Sequence, residues 1–184
     1  MQYAVMNDFK KEGDISEEVI ERYKKQLPNA ILDLWKEYGV GSFCNDYLKM
    51  IIPDEYQGIV KESYYDGDHA IPVMATGFGD IIVWKPKDDL MLLLLYRYQD
   101  LKALESGCTY FFEDLADPES VLNGRLRKKK YDKAIEMHGC LAYDECFGYV
   151  PLLGLGGRES VKNIQKVKIK EYIGQMIQMV GKIE

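Results

Sequence analysis

The stretch AIPVMATGFGDIIVWKPKDDLMLLLLYR, residues 70–97, decides the fold, because it predicts three consecutive strands of one antiparallel sheet. The strands cover 70–76, 80–85 and 90–97, joined by a glycine-rich turn and by the polar turn KPKDD. The run MLLLLY lacks the polar–apolar alternation of a half-buried strand, so we expect a central strand covered on both faces. Two flanking segments predict further strands: YLKMII at 47–52 and CTYFF at 108–112.

Helices are predicted before and after this sheet. Ser16 is a good N-cap for the first, and Pro28 fits the first turn of the second. The predicted helices are 16–27, 28–38, 53–65, 130–142 and 169–180, the last with apolar residues at strict helical spacing. The fold class is therefore α+β, a central antiparallel sheet with N-terminal and C-terminal helices packed on it. We divide the chain into an α+β domain over 1–112 and a helical subdomain over 113–184, packed as one unit.

Charge is spread unevenly along the chain. Residues 1–92 carry 10 Lys and Arg against 17 Asp and Glu, whereas residues 93–184 carry 14 against 13. Binding of phosphates needs clustered positive charge, so the acidic first half argues against a nucleic-acid partner. It favours a basic protein partner. The sequence leaves the oligomeric state open.

The sequence also predicts where the chain works. Its longest apolar run, 90–96, is far shorter than the roughly 20 residues of a membrane-spanning helix. The first residues, MQYAVMNDFKKEGD, lack the apolar segment of a signal peptide. The four cysteines are scattered rather than arranged as a disulfide framework. We therefore expect a cytoplasmic protein with no membrane partner.

Catalytic, metal and cofactor sites find little support. The segment GLGGR, residues 154–158, invites a phosphate-loop interpretation but matches neither nucleotide-binding glycine pattern, so a structural turn is favoured. His138, Cys140 and Cys146 match no closed zinc motif. With two histidines and no nucleophile elbow, no catalytic triad is suggested. We expect no enzyme and no cofactor, although an unrecognised enzyme built on 154–158 stays an alternative.

Two charged features are candidate binding sites. One is a set of turn carboxylates that could dock a cationic partner and speed its association. Its members are Asp66, Asp68, Asp80, Asp88 and Asp89. The other is the basic run RLRKKK, residues 125–130, which gives the alternative of a nucleic-acid or regulatory binding module. A solvated helix start is the more common role for such a run.

The segment from Glu21 to Phe43 resembles the start of GAD-like domains, in which a helix is followed by an LP motif, a tryptophan and a glycine. The segments IIPDEYQGIV and ATGFGDIIVW resemble the continuation of that family. The matching residues near the start are Leu27, Pro28, Leu32, Trp35 and Gly39.

The last part, FGYVPLLGLGGRESVKNIQKVKIKEYIGQM, resembles the C-terminal domain of type VI secretion immunity proteins that neutralise DNase effectors. The layout is also similar to that of the SUKH immunity superfamily. The residues that carry the C-terminal resemblance are Gly148, Tyr149, Pro151, Leu153, Leu155, Gly156 and Gly157.

Together the two resemblances imply a non-enzymatic immunity protein that binds a cognate toxin, a secreted nuclease effector, and blocks its activity. They identify a fold rather than toxin contacts. The positions carried over are therefore scaffold positions: Trp35, Gly39, Gly77, Gly79, Asp80, Trp84 and Gly156. An acid-rich first half suits an inhibitor that competes with DNA phosphates.

Overall fold

The computed structural model describes residues 3–117 and 119–184, which place a seven-stranded antiparallel sheet between two layers of helices. The strands lie in the sheet in their order along the chain, so each pairs with its neighbour in sequence. Such an order needs only local connections and no crossover. The strands are β1 (Lys10–Gly13), β2 (Val40–Phe43), β3 (Leu48–Met50), β4 (Ile71–Thr76), β5 (Ile81–Lys85), β6 (Leu90–Leu95) and β7 (Asp100–Ser106).

The helices divide between the two faces of the sheet. Trp35, Phe111 and Tyr131 belong to a first core on one face, whereas Tyr56 and Tyr172 belong to a second core on the other. Helices α1, α2, α4 and α6 therefore cover the first face, and α3 and α7 cover the second. The helix bounds are α1 (Glu17–Tyr23), α2 (Asn29–Tyr38), α3 (Pro53–Ser63), α4 (Cys108–Leu115), α5 (Val121–Arg125), α6 (Lys128–His138) and α7 (Ile169–Met179).

Strand β6 is the central strand expected from its unbroken apolar run. Met91, Leu93 and Leu95 point into the first core, and Leu92 and Leu94 point into the second. Successive side chains of a strand alternate between the faces of its sheet, so a strand covered on both faces needs apolar residues throughout.

The strand predicted at 108–112 is wrong, because these residues open helix α4. Strand β7 ends at Ser106, and Gly107 then takes a positive φ of 80° that turns the chain into the helix. Cys108, Phe111, Phe112 and Leu115 are all buried, at the i, i+3, i+4, i+7 spacing of one helix face. The strand that follows β6 is β7. It was not predicted because its charged residues interrupt the apolar pattern of a strand.

The C-terminal region is not purely helical, which corrects the expected helical subdomain. Strands β8 (Glu145–Tyr149) and β9 (Ile164–Lys168) form a separate antiparallel pair, where the sequence predicted a loop followed by a helix. Strand β8 is buried almost throughout, so it lacks the alternation that signals a strand. Strands β1 and β2 were also missed, and the strand predicted to reach 97 ends at Leu95.

Side chains with long apolar bodies and polar tips tie the C-terminal region to the sheet. Lys49 of β3 is fully buried and donates hydrogen bonds to the carbonyls of Ala142, at 2.6 Å, and Glu145. The Tyr143 hydroxyl donates to the carbonyl of Met50 at 2.8 Å, and the Tyr47 hydroxyl donates to the carbonyl of Leu126. Each of these hydrogen bonds joins residues at least 79 positions apart in the chain, so together they hold the later part of the chain against the sheet.

The two parts of the chain share a core. The boundary predicted between residues 112 and 113 falls inside α4, and residues on both sides of it belong to the first core. The division into two domains stays a prediction. None of the helices described is both long and apolar enough to cross a lipid bilayer.

Candidate functional site

Four of the five candidate carboxylates lie together at the end of the β5–β6 hairpin. The Lys85 ammonium contacts the carboxylate of Asp66 and lies 3.1 Å from that of Asp88. Asp66 also faces His69 Nδ1 at 2.7 Å, and hydrogen bonds from Lys85 and then His69 lower the pKa of Asp66. Asp68, on the same turn, pairs with Lys61 at 3.0 Å. The turn at 66–69 and the hairpin tip are therefore joined through Lys85.

Asp89 extends this group toward helix α4. Its backbone carbonyl accepts a hydrogen bond from the Gly107 amide at 2.9 Å, which joins the hairpin tip to the start of α4. A β-carbon on Gly107 would lie 3.3 Å from the Tyr110 ring and 3.9 Å from an Asp89 carboxylate oxygen. Asp89 and Tyr110 are therefore neighbours on the surface.

Two strongly exposed tyrosines flank the carboxylates. Tyr65, next to Asp66, is 72% exposed, and Tyr110, beside Asp89, is 63% exposed. Large aromatic side chains left in water at this level are typical anchors of protein interfaces. Neither tyrosine is predicted as a contact from the sequence, because nothing in a single sequence separates these two from the many buried tyrosines. We call this surface the acidic rim; it comprises Tyr65, Asp66, Asp68, Asp88, Asp89 and Tyr110.

Asp80, the fifth candidate, is not part of the rim: it is a buried core residue rather than the partner contact expected from the sequence. It precedes β5, at the end of that strand opposite Lys85, and it is 1% exposed. Its carboxylate accepts hydrogen bonds from Arg97 Nη2 at 2.6 Å and Nε at 3.1 Å. The Arg97 guanidinium also lies 4.2 Å from the centre of the Phe78 ring. A partner protein at the surface has no access to this carboxylate.

The basic run at 125–130 is mostly engaged in internal contacts. Arg125 donates to the carbonyls of Ala103 and Leu104 at 2.8 Å, which covers the outer edge of β7. Arg127 and Lys130 contact Glu159, and Lys128 pairs with Asp132. Within residues 3–117 and 119–184, Lys129 alone of these cations makes no hydrogen bond or ion pair. These contacts hold most of the side chains in place, and Asp132 and Glu159 neutralise part of the positive charge of the run.

The glycine segment at 154–158 forms a tight turn. Amides that a phosphate loop would offer to an anion are already donated, from Gly156 to the carbonyl of Leu153 at 3.1 Å and from Gly157 to that of Leu152 at 3.0 Å. A β-carbon on Gly157 would strike the carbonyl of Pro151, and one on Gly154 would strike Val180. The glycines are needed here for close packing.

Histidine and cysteine side chains do not assemble into a site. His138 Nε2 lies 2.7 Å from the carbonyl of Val161, Cys140 is exposed, and Cys146 is buried in the second core. In the part of the chain that the structure describes, no group of three His, Cys, Asp or Glu side chains is placed to hold a metal ion. Among the candidate sites described, the acidic rim is therefore the best candidate for binding a partner.

Comparisons with known proteins give matches over two regions. Residues 3–96 match the sequence model of the GAD-like domain, and residues 105–180 match that of the T6SS immunity protein Tdi1, C-terminal. The second match supports a role as an immunity protein. No curated protein matches the chain.

Among solved structures, the chain is similar to the crystal structure of Atu4351 from Agrobacterium tumefaciens, with a TM-score of 0.73 and 17% sequence identity. The similarity covers 95% of this chain and 87% of that one. At this identity the similarity shows the fold alone, which is the α+β architecture described above.

Proposed function

Since the chain belongs to the GAD-like domain family and its residues 105–180 match an immunity-protein region, we propose that it is an immunity protein that neutralises a cognate nuclease toxin. The match over 105–180 is the observation that carries this proposal. It covers α4 to α7, of which α4 and α6 pack in the first core and α7 packs in the second. Binding alone is sufficient for this role, so the protein needs no catalytic residues.

The acidic rim is the proposed contact surface. A nuclease that grips the DNA backbone presents clustered positive charge, and carboxylates complement it. Lys61 and Lys85 neutralise part of the rim, whereas Asp89 makes no ion pair within the residues described. Tyr65 and Tyr110 supply aromatic area on either side of the carboxylates. The toxin surface that fits the rim is therefore basic and has shallow pockets for two rings.

The mechanism we propose is occlusion in the cytoplasm of the toxin-producing cell. A chain that covers the basic surface of a nuclease keeps DNA phosphates from that surface. Such a complex is expected to bury about 1,600 Å² in total, the usual size of a stable protein interface.

The first test is rescue of growth. Nuclease-like polypeptides encoded beside the gene are expressed in a sensitive host, with and without this chain at equal level. We expect one of them to kill alone and to be tolerated with the chain. Death with every neighbouring toxin, despite confirmed expression of the chain, would overturn the proposal.

The second test separates immunity from the nuclease assignment. The toxin whose killing the chain prevents, which we call the rescued toxin, is purified. Cleavage of plasmid DNA by this toxin is then measured as the chain is added. Inhibition at one-to-one stoichiometry supports both parts. A rescued toxin with no nuclease activity would refute the nuclease target and leave immunity standing.

A further inference from the structure

Residues 150–160 cross the end of the sheet where the Asp80–Arg97 pair is buried, and we call this segment the strap. Its short turn at Leu153–Leu155 packs against the turn at Tyr96–Tyr98 that carries Arg97. It also exposes two apolar side chains, Val150 at 46% and Leu155 at 49%. The strap therefore lies against the turn that carries Arg97, and its residues Leu152 and Leu153 pack on the second and the first core.

Glu159 fastens the strap to the rest of the molecule. Its carboxylate accepts a hydrogen bond from the Tyr98 hydroxyl at 2.6 Å and pairs with Arg127 at 3.0 Å and with Lys130. Arg97 and Arg127 both lie over the Tyr98 ring, at 5.1 Å and 4.7 Å from its centre. Glu159 therefore joins the strap to two other parts of the chain, the turn at 96–98 and the basic run at 125–130.

Other groups oppose closure of the strap. Arg97 Nη1 and the Tyr149 hydroxyl are buried and have no hydrogen-bond partner among the residues described. Burial raises the pKa of Tyr149, and the charge of nearby Arg97 offsets only part of that rise. A buried polar group without a partner is unfavourable, because water would satisfy it. Hydration of these two atoms therefore favours an open strap.

We propose that the strap is a movable cover that Glu159 holds closed, and that it opens without unfolding the sheet. The closed state keeps Val150 and Leu155 in fixed positions, and the open state exposes Arg97 and Tyr149 to solvent. Closing is favoured by the three Glu159 contacts and by the packing of Leu152 and Leu153 on the two cores, and it is opposed by the two unpartnered polar atoms. The strap is then a two-state element whose balance the charge of Glu159 can shift.

Hydrogen exchange on the isolated protein tests this directly. In Glu159→Gln we expect the Arg97 Nε proton, which is hydrogen-bonded to Asp80, to exchange about tenfold faster, as expected for losing one hydrogen bond to a charged group. Amides of β4, β5 and β6 should be unchanged. Glu55→Gln is the matched control, because Glu55 makes one exposed ion pair, with Lys170, away from the strap.

A second variant opens the strap without changing charge. Gly154→Ala places a methyl group against Val180 and should push the strap from α7, giving the same local increase in exchange. Unchanged exchange of the Arg97 Nε proton in both variants would overturn the proposal. An equal increase throughout the sheet would also overturn it, because Glu159 would then stabilise the whole fold rather than a local closed state.

Discussion

An aspartate lies near each end of strand β5, and the two aspartates have opposite roles. Before the strand begins, Asp80 is 1% exposed and fully committed to Arg97. Beyond Lys85 at the other end, the Asp88 side chain is 52% exposed and pairs with that lysine at the surface. The lesson is that a carboxylate in a turn next to a strand has no fixed function. Its burial and its partner decide whether it supports the fold or faces another protein.

The largest expected effect comes from breaking the buried end. Asp80→Asn leaves the Arg97 charge buried and unpaired, which should lower the free energy of unfolding by about 3–5 kcal/mol. Asp88→Asn removes an exposed pair and should cost about 1 kcal/mol or less. Urea denaturation of both variants measures the difference. Similar losses for the two would contradict the contrast between the ends of β5.

The next effect concerns a second buried charge on the same side of the molecule. Burial lowers the pKa of Lys49 from 10.5 to about 8, so between these values the folded chain holds fewer protons on Lys49 than the unfolded chain. Its contribution to stability therefore rises with pH in that window. Burial acts in the opposite direction on the thiols of Cys44, Cys108 and Cys146, by raising each pKa from 9.0 to about 12.

Because three thiols oppose one amine, we expect the free energy of unfolding to fall as pH rises above 9. The fall should be steeper in Lys49→Met, which lacks the opposing amine. Denaturation across the alkaline range measures both slopes, with Lys25→Met as the exposed-lysine control. Parallel curves for Lys49→Met and the parent protein would show that Lys49 does not titrate as a buried amine.

The role of the acidic rim in partner binding is tested by association kinetics. Asp68→Lys with Asp88→Lys should slow binding of the rescued toxin by about tenfold at low salt, because steering by complementary charge is lost. Stability should fall by no more than about 2 kcal/mol, because two exposed ion pairs are lost. Glu37→Lys with Glu136→Lys makes the same charge change elsewhere on the surface. An equal slowing in the control pair would reduce the rim effect to net charge.

The smallest expected effects on stability come from the basic run at 125–130. They distinguish Arg125, which makes hydrogen bonds, from Lys129, which makes none within the residues described. Lys129→Ala should leave stability within about 0.5 kcal/mol of the parent. Arg125→Ala uncovers two carbonyls at the edge of β7 and should cost about 1–3 kcal/mol. In gel shifts with duplex DNA, we expect no binding by the parent protein and no difference between it and Lys129→Ala. Salt-dependent binding that this variant abolishes would revive the nucleic-acid alternative.

The sequence by itself determined the centre of the sheet and most of the helices. The run at 90–95 and the helical spacing at 169–180 are local patterns, and the periods of strands and helices are properties of the chain itself. The polar turns of the rim were also predictable, because a hairpin tip faces water in most folds. The folded structure then brings four of the candidate carboxylates together around Lys85, and their contact with a partner stays a prediction.

Only the tertiary structure decided the rest, because burial and pairing depend on residues far away in the chain. In the sequence, Asp80 cannot be told apart from the other four candidate carboxylates. Only the fold shows that Arg97 lies over Phe78 and pairs with Asp80. Strand β8 reads as a loop until β9 pairs with it, and Tyr65 reads as a core residue until it is found in water. Each outcome is set by long-range contacts that a one-dimensional pattern does not encode.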